Sequence, residues 1–419
     1  QTGLDEGFFL EDLTLRRDPG EPGGSAFELS LRGFGDVEGS EFARLSYRAS
    51  SPWAFELDYD RRVGFFALTE TGLGLRQDDW TLSRWRGSVE YGGWKAADLA
   101  LDLRYYDRSG SIDRPIYAQS DLYSQRVDLD ESMTEVAFRL RTKTLPVQLD
   151  FEQTWTVYER DNRYSGGGAP IDGESNNVLV GQTSGPSDEI EAPTSRLVAT
   201  WATPGVEVAG QVLYSPAELD ARGGSDRTFQ IEGGSFGSIQ YVNDLLGSAD
   251  FDTLAANLRL GFQLASKWEL RVLGEYRDRS TDTALAGTRL LRLTNPFGQV
   301  IEIPALADDS SVLDINEDEV RAEVHWTDRK WSAWGGGFVA SRDTSWNVGG
   351  RGLSDVTRDT EGFVLGLAYR PSSDLRISGE WERGDFDEFA FRNEPETVDR
   401  YKLNVNAGLG GGWELGLQG

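Results

Sequence analysis

Apolar and polar residues alternate with a period of two from near residue 25 to the end of this chain. That is the pattern of strands with one face in an apolar medium and the other in a polar one. In 53–60, Trp53, Phe55, Leu57 and Tyr59 alternate with Ala54, Glu56, Asp58 and Asp60. In 98–105, Leu99, Leu101, Leu103 and Tyr105 alternate with Asp98, Ala100, Asp102 and Arg104. Trp268, Leu270, Val272 and Tyr276 are set against Glu269, Arg271 and Glu275. Leu375, Ile377 and Trp381 are set against Arg376, Ser378, Glu380 and Glu382. Counting from residue 25 gives about 17 strands, each near the 9–11 residues of a tilted membrane-spanning strand. Residues 8–15 add a possible further one.

A soluble sandwich also alternates, but two features point to a transmembrane barrel. First, the connections are asymmetric. Tight links near Ser51-Pro52, Gly92-Gly93, Lys143-Thr144, Pro204-Gly205, Ser266-Lys267, Arg329-Lys330, Ser372-Ser373 and Gly410-Gly411 alternate with long polar excursions. The excursions lie near 61–79, 109–130, 161–191, 216–250, 280–316, 343–358 and 385–397. Short turns on one side and long loops on the other are expected of outer-membrane barrels. Second, aromatics cluster at strand ends. Trp53, Trp94, Trp268, Trp331 and Trp413 lie near tight turns, while Tyr59, Tyr105, Tyr158, Tyr214, Tyr276, Tyr369 and Trp381 lie near the long loops. Two such bands form the girdles that amphipathic rings make at headgroup level.

Composition changes the picture only when read with the pattern. The 419 residues carry 70 Asp+Glu against 42 Lys+Arg, a formal charge of −28, with 38% hydrophobic residues. Taken alone, those values suggest an acidic soluble protein. No apolar run approaches the roughly 18 residues of a membrane helix, but a barrel needs none because its apolar residues alternate. The acid excess disfavours nucleic-acid partners, which need a basic footprint. With 0 Cys, disulfides, thiolate metal sites and thioether-linked haem are excluded within this chain. Gln1 opens the sequence with no apolar signal segment, so a mature form after signal-peptide removal is expected.

The fold class expected is therefore all-β: a transmembrane antiparallel up-and-down β-barrel of about 18 or more strands, integral to the bacterial outer membrane. Residues 1–24 form an N-terminal segment and 25–419 the barrel. The last strand would end on the external side, so the barrel is expected to lack at least one C-terminal strand.

Charges facing lipid would cost roughly 2–4 kcal/mol each at the midplane, so the charged positions must face the lumen. They are Glu56, Asp58, Asp98, Asp102, Arg104, Arg139, Arg141, Asp150, Glu152, Arg259, Glu269, Arg271, Arg321, Glu323, Arg376 and Glu380. They can line water, pair across strands, or contact an inserted partner. The single His325 falls on this face beside Glu323 and Arg321, and reads as a polar lumen residue. No nucleophile and base form a catalytic constellation, so an enzyme is not expected. The acidic run 307–319 does not match a calcium-loop spacing and reads as solvated surface. The Gly- and Ser-rich 161–191 reads as a flexible external loop, and 216–250 as a candidate constriction loop.

Several strands finish with an aromatic followed by Asp or Arg, as in Tyr59-Asp60-Arg61, Tyr106-Asp107-Arg108 and Tyr276-Arg277-Asp278-Arg279. With the segments LTLRR, FELSLRGFGD and RLSYRASSPWAFELDYDRRVGFFAL, most specifically across 25–68, the chain resembles the barrel proteins of porin–cytochrome conduits, the MtrB/PioB type. It lacks the N-terminal Cys pair of some members and is shorter than typical members. The resemblance implies an insulating sheath with no cofactor of its own, embedded in outer-membrane lipid. It would surround or dock a multihaem c-type cytochrome, which supplies all the haem for transmembrane electron transfer. The alternative is a general diffusion porin for small solutes.

Overall fold

The computed structural model describes residues 10–18, 24–34, 40–49, 52–68, 76–118, 121–168, 178–230, 237–348, 354–372, 375–386, 397–410 and 413–418. The side chains of 65–68, 76–77, 115–118, 121–122, 386, 408–410 and 413–418 lie outside the description, Trp413 among them. The described residues are almost all strand: β1 (Leu10–Arg17), β2 (Ala26–Phe34), β3 (Ser40–Arg48), β4 (Trp53–Leu68), β5 (Arg76–Tyr91), β6 (Ala97–Ala118) and β7 (Asp121–Thr142). There follow β8 (Val147–Asp161), β9 (Arg163–Gly168), β10 (Val178–Thr203), β11 (Val206–Gln230), β12 (Ser238–Ala265) and β13 (Trp268–Thr294). The last are β14 (Val300–Thr327), β15 (Trp331–Val348), β16 (Ser354–Tyr369), β17 (Leu375–Phe386), β18 (Thr397–Gly410) and β19 (Trp413–Gln418).

Each strand pairs antiparallel with the next in sequence, which makes one continuous up-and-down sheet. β8 and β9 are two halves of one strand, since both lie between β7 and β10 and are separated only by Asn162. Asn162 is buried, and its side chain does the work of the interrupted ladder. Its Oδ1 accepts from the Asp130 N–H at 3.0 Å, and its Nδ2 donates to Glu131 at 3.0 Å. Merging the two halves leaves eighteen strands, the number expected from the alternation. Among the described residues, β1 pairs with β2 alone and β19 with β18 alone.

The connections differ from expectation in one respect. The excursions near 109–130, 161–191, 216–250 and 280–316 are for the most part strands, not loops. β10 to β14 run for 26, 25, 28, 27 and 28 residues, against the roughly 9–11 that a bilayer requires. The alternation fades in the sequence because beyond the bilayer neither face meets lipid. The ladder continues because it still satisfies every backbone donor and acceptor. Residues 216–230 and 238–250 therefore pair as tall strands rather than fold inward as a constriction loop, and 307–319 belong to β14.

On the opposite side the turns are tight, and neighbouring turns are tied together. Pro204-Gly205 closes a two-residue turn in which Gly205 has φ 100°, which a proline at the first corner and a glycine at the second supply without strain. Backbone N–H groups of Gly92, Lys143, Gln263, Thr327 and Arg370 donate to carbonyls in the adjacent turn or its flank at 2.7–2.9 Å. Lys143 also pairs with Asp98, and Lys267 donates to Asp328 at 2.7 Å.

That last contact has a pH signature. The Lys267 hydrogen bond, followed by the Arg329 backbone N–H, holds the Asp328 carboxyl below the usual carboxylate range. A depressed folded-state value means the contact is intact above an ordinary Asp value of about 3.9 and is lost as pH falls through the lower one. An NMR titration of the Asp328 carboxyl should give a midpoint below about 3.9, and Lys267→Ala should raise it toward the ordinary value, with the Arg329 contribution remaining. A second expectation concerns the faces. Leu365 is 51% exposed and lies four positions from Tyr369. Leu365→Arg should cost about 2–4 kcal/mol in urea titrations of the protein folded in lipid vesicles. An unchanged titration would reverse the assignment of the two faces.

Candidate functional site

The ladder register fixes which side chains share a face. From β3 to β18, the rows of partners put all the charged residues picked out by alternation on one side of the sheet. Glu56 and Asp58 face Ser88 and Arg86, which face Asp102 and Arg104. Asp98 and Ala100 then face Arg141 and Arg139, and these face Asp150 and Glu152. Further on, Arg259 faces Leu273, and Glu269, Arg271 and Leu273 face His325, Glu323 and Arg321. Glu380 and Arg376 continue the same side through Gly366 and Asn406.

This side is the concave one, since its side chains meet over intervening strands. The Arg321 guanidinium on β14 donates to Glu382 on β17 at 3.0 Å, with β15 and β16 between them. Trp334 on β15 donates its indole N–H to Glu380 on β17 at 3.3 Å. Its ring lies across Gly366, where a Cβ would come within 1.9 Å of Trp334 Cε2. Phe338 lies over Gly362 in the same way. The strand spacing of about 4.8 Å would otherwise keep such residues well apart. The triple glycine serves this curl, since a Cβ on Gly336 would stand 2.0 Å from the Ala322 carbonyl oxygen.

The charges are organised as ion pairs, most of them across strands and some between alternate residues of one strand. Arg44 pairs with Glu56 and, at 3.7 Å, with Asp58. Arg104 meets Glu135 at 2.8 Å, Arg139 meets Glu152 at 3.0 Å and Asp102 at 3.6 Å, and Arg141 meets Asp150 at 2.7 Å. Arg271 grips Glu269 through two bonds of 2.8 Å. The densest part is built on β14 to β18. There Arg321 binds Glu319 and Glu382, each at 3.0 Å, and Arg400 and Lys402 reach Glu382 and Glu380 at 3.1 and 2.9 Å. His325 stands 2.7 Å from Glu323 and stacks on Trp334, with ring planes 7° apart. Beneath this layer Val364 is fully buried. A cavity of about 390 Å³ opens beside it between Glu319, Arg321, Arg342, Arg358, Glu382 and Arg400. Among the described residues no group of three or more His, Cys, Asp or Glu is arranged to hold a metal ion.

The opposite, convex side carries the aromatics. Trp53, Tyr59, Tyr105, Trp268, Tyr276, Trp331 and Trp381 share it with the exposed Phe55, Leu57, Leu258 and Leu365. Trp94 sits in the turn after β5, 53% exposed and edge-on to Tyr91 at 6.0 Å. Tight ring pairs join neighbouring strands, with centroids 4.1 Å apart for Trp331–Tyr369, 4.3 Å for Tyr59–Trp85 and 4.5 Å for Trp53–Tyr91. From Trp268 to Tyr276 is about 27 Å along the strand, which at a tilt of about 35–45° spans about 20 Å of bilayer, a little less than an apolar band of about 25 Å. Tyr369 and Tyr158 depart from expectation: Tyr369 stands at the tight-turn end, in register with Trp331, and Tyr158 is turned inward. It shares the concave side with Met133, its register partner, while its neighbour Trp155 is on the convex side, 50% exposed. The band nominated at sequence level missed Trp155 and Trp85, although both occur at the outward parity of their strands.

Sequence reasoning also passed over Trp334 and Phe338. Both fall at the parity of the charges rather than of the lipid-facing residues, and an aromatic at a polar position is the signal that marks them. Glu382 is only 9% exposed and shared by two guanidinium groups. Glu382→Leu should lower stability by about 1–3 kcal/mol in urea titration, mostly through Arg321, because the exposed Arg400 is screened by water. An unchanged midpoint would mean the pair is ornamental.

No protein-family model matches this sequence, and no curated protein matches it significantly. Among solved structures, the copper transporter OprC is 13% identical over 96% of this chain and 69% of its own, with a TM-score of 0.43. The ferric yersiniabactin uptake receptor FyuA from Yersinia pestis is 10% identical over 88% and 64%, also at 0.43. The ferric citrate transporter FecA is 9% identical over 97% and 64%, at 0.36. The chain thus spans about two thirds of these proteins, and likeness at such scores carries no argument about this one. Its class rests on its own register and faces. An antiparallel up-and-down wall with a lipid-facing apolar band, two aromatic girdles and a charged concave side is an integral β-barrel protein of the bacterial outer membrane.

Proposed function

We propose that this barrel is the sheath of a transmembrane electron conduit, holding a multihaem c-type cytochrome in its lumen. The observation that carries the reading is the concave face. It is charged with both signs, internally paired, and continuous from the tight turns to beyond the external girdle. Such a wall offers a folded partner acceptors and donors at fixed positions, because the cross-strand pairs hold each long side chain in place.

The height of the wall supports the same reading. β10 to β14 carry the enclosure well past the bilayer, which gains an open diffusion pore nothing. For a chain of redox centres it keeps the carrier insulated until it clears the membrane. The chain's own residues would position and shield the partner. With no cysteine and its only histidine committed to Glu323 and Trp334, the haem and its ligands would come from the cytochrome.

Purification of the tagged barrel from its native membranes, followed by a reduced-minus-oxidised haem spectrum, tests this directly. Haem co-purifying in fixed ratio to the barrel is expected. A haem-free barrel that conducts ions in planar bilayers would instead establish the diffusion porin.

A further inference from the structure

On the external part of the wall the concave side changes character. The rows Phe229–Ile239–Leu293–Ile301 and Tyr241–Leu291–Ile303 run across β11 to β14 in direct register. Together they make an apolar ledge. It lies about 50 Å along β13 from the Tyr276 girdle, at about 3.4 Å per residue, so lipid cannot cover it.

One end of the ledge is covered by the protein itself. Tyr123 on β7 and Leu179 on β10 close over Phe229, and the Tyr123 and Phe229 rings stand 5.9 Å apart across β9 and β10. All three are essentially buried. The other end is open: Ile303 is 49% and Ile301 54% exposed. Exposed apolar surface continuous with a buried cluster marks an interaction site.

Position and charge select the occupant. The open end faces the lumen axis, where the wall of a second barrel cannot reach. The convex side of the same hairpins is acidic, with Glu191, Glu218, Asp250 and Asp282 directly opposite one another in register, so two copies would repel. Beside the ledge on the concave side stand the exposed guanidinium groups of Arg227, opposite Tyr241, and Arg289, opposite Ala305. We propose that the ledge is the docking surface for the external end of the lumenal protein, which presents an apolar patch bordered by carboxylates. This rests on the sheath reading and specifies where the sheath grips its occupant.

The test uses the full-length barrel in its native membranes. In one sample Ile301→Asp and Ile303→Asp are combined. In a control, Leu306→Asp alters the same hairpin on its convex face, where Leu306 is 84% exposed. A photo-crosslinking residue at position 303 provides a readout independent of stability. The double variant is expected to lose at least tenfold of its co-purified haem on washing, while the control matches wild type. The crosslink should join the barrel to a haem-staining band. Wild type and double variant retaining haem equally, or a crosslink that carries no haem, would overturn the ledge while leaving the sheath intact. A wild-type barrel with no haem at all would overturn both.

Discussion

Everything in this protein depends on keeping backbone hydrogen bonds satisfied where water is absent. A strand crossing a bilayer cannot leave N–H or C=O groups unpaired at several kcal/mol each, so each must pair with its neighbours along its whole spanning length. The antiparallel registers from β1 to β19, shifted only locally as at Gln263–Ala265, are that requirement made visible. Once the ladder is fixed, side-chain direction follows with period two, and every residue is assigned to lipid or lumen with no freedom left. The interruption at Asn162 shows how strict the demand is. A buried side-chain amide supplies the bonds the backbone gives up.

The two faces then solve different problems. The convex side meets acyl chains, so its apolar residues are exposed on the isolated protein and its rings collect where the bilayer turns polar. The concave side must bring charges together in confined space without leaving them unpaired. It does so with arginine and carboxylate on adjacent strands, or reaching over the strands between as Arg321 does to Glu382, at separations of 2.7–3.0 Å in the best pairs. Curvature is obtained from glycine. Gly362 and Gly366 leave room for Phe338 and Trp334 to lie flat against the wall, and Gly336 lets β15 approach the Ala322 carbonyl of β14, which together draw β14 and β17 close enough for Arg321 to reach Glu382.

Beyond the bilayer the constraint relaxes, because neither face meets lipid. The convex acids there are solvated, while the concave side turns from ion pairs to an apolar ledge under Tyr123 and Phe229. On the sheath reading proposed above, the charge pairs along the shaft would orient an occupant and the apolar ledge would seat its external end.

The alternation of Trp53 to Asp60, or of Leu99 to Arg104, determined by itself that strands have a lipid face and a charged face, because period two is a property of the extended chain. The strand number, the tight turns and the membership of the concave face were legible for the same reason. What the tertiary structure alone decided is what depends on curl and on neighbours far apart in sequence. Asp308 and Asp309 look like one acidic loop in sequence, yet they occupy opposite faces of β14. Tyr158 resembles a girdle residue until its register with Met133 turns it inward. The tall hairpins read as loops because outside the bilayer nothing forces alternation, and β7 comes against the ledge of β11 to β14 only once the wall has curled.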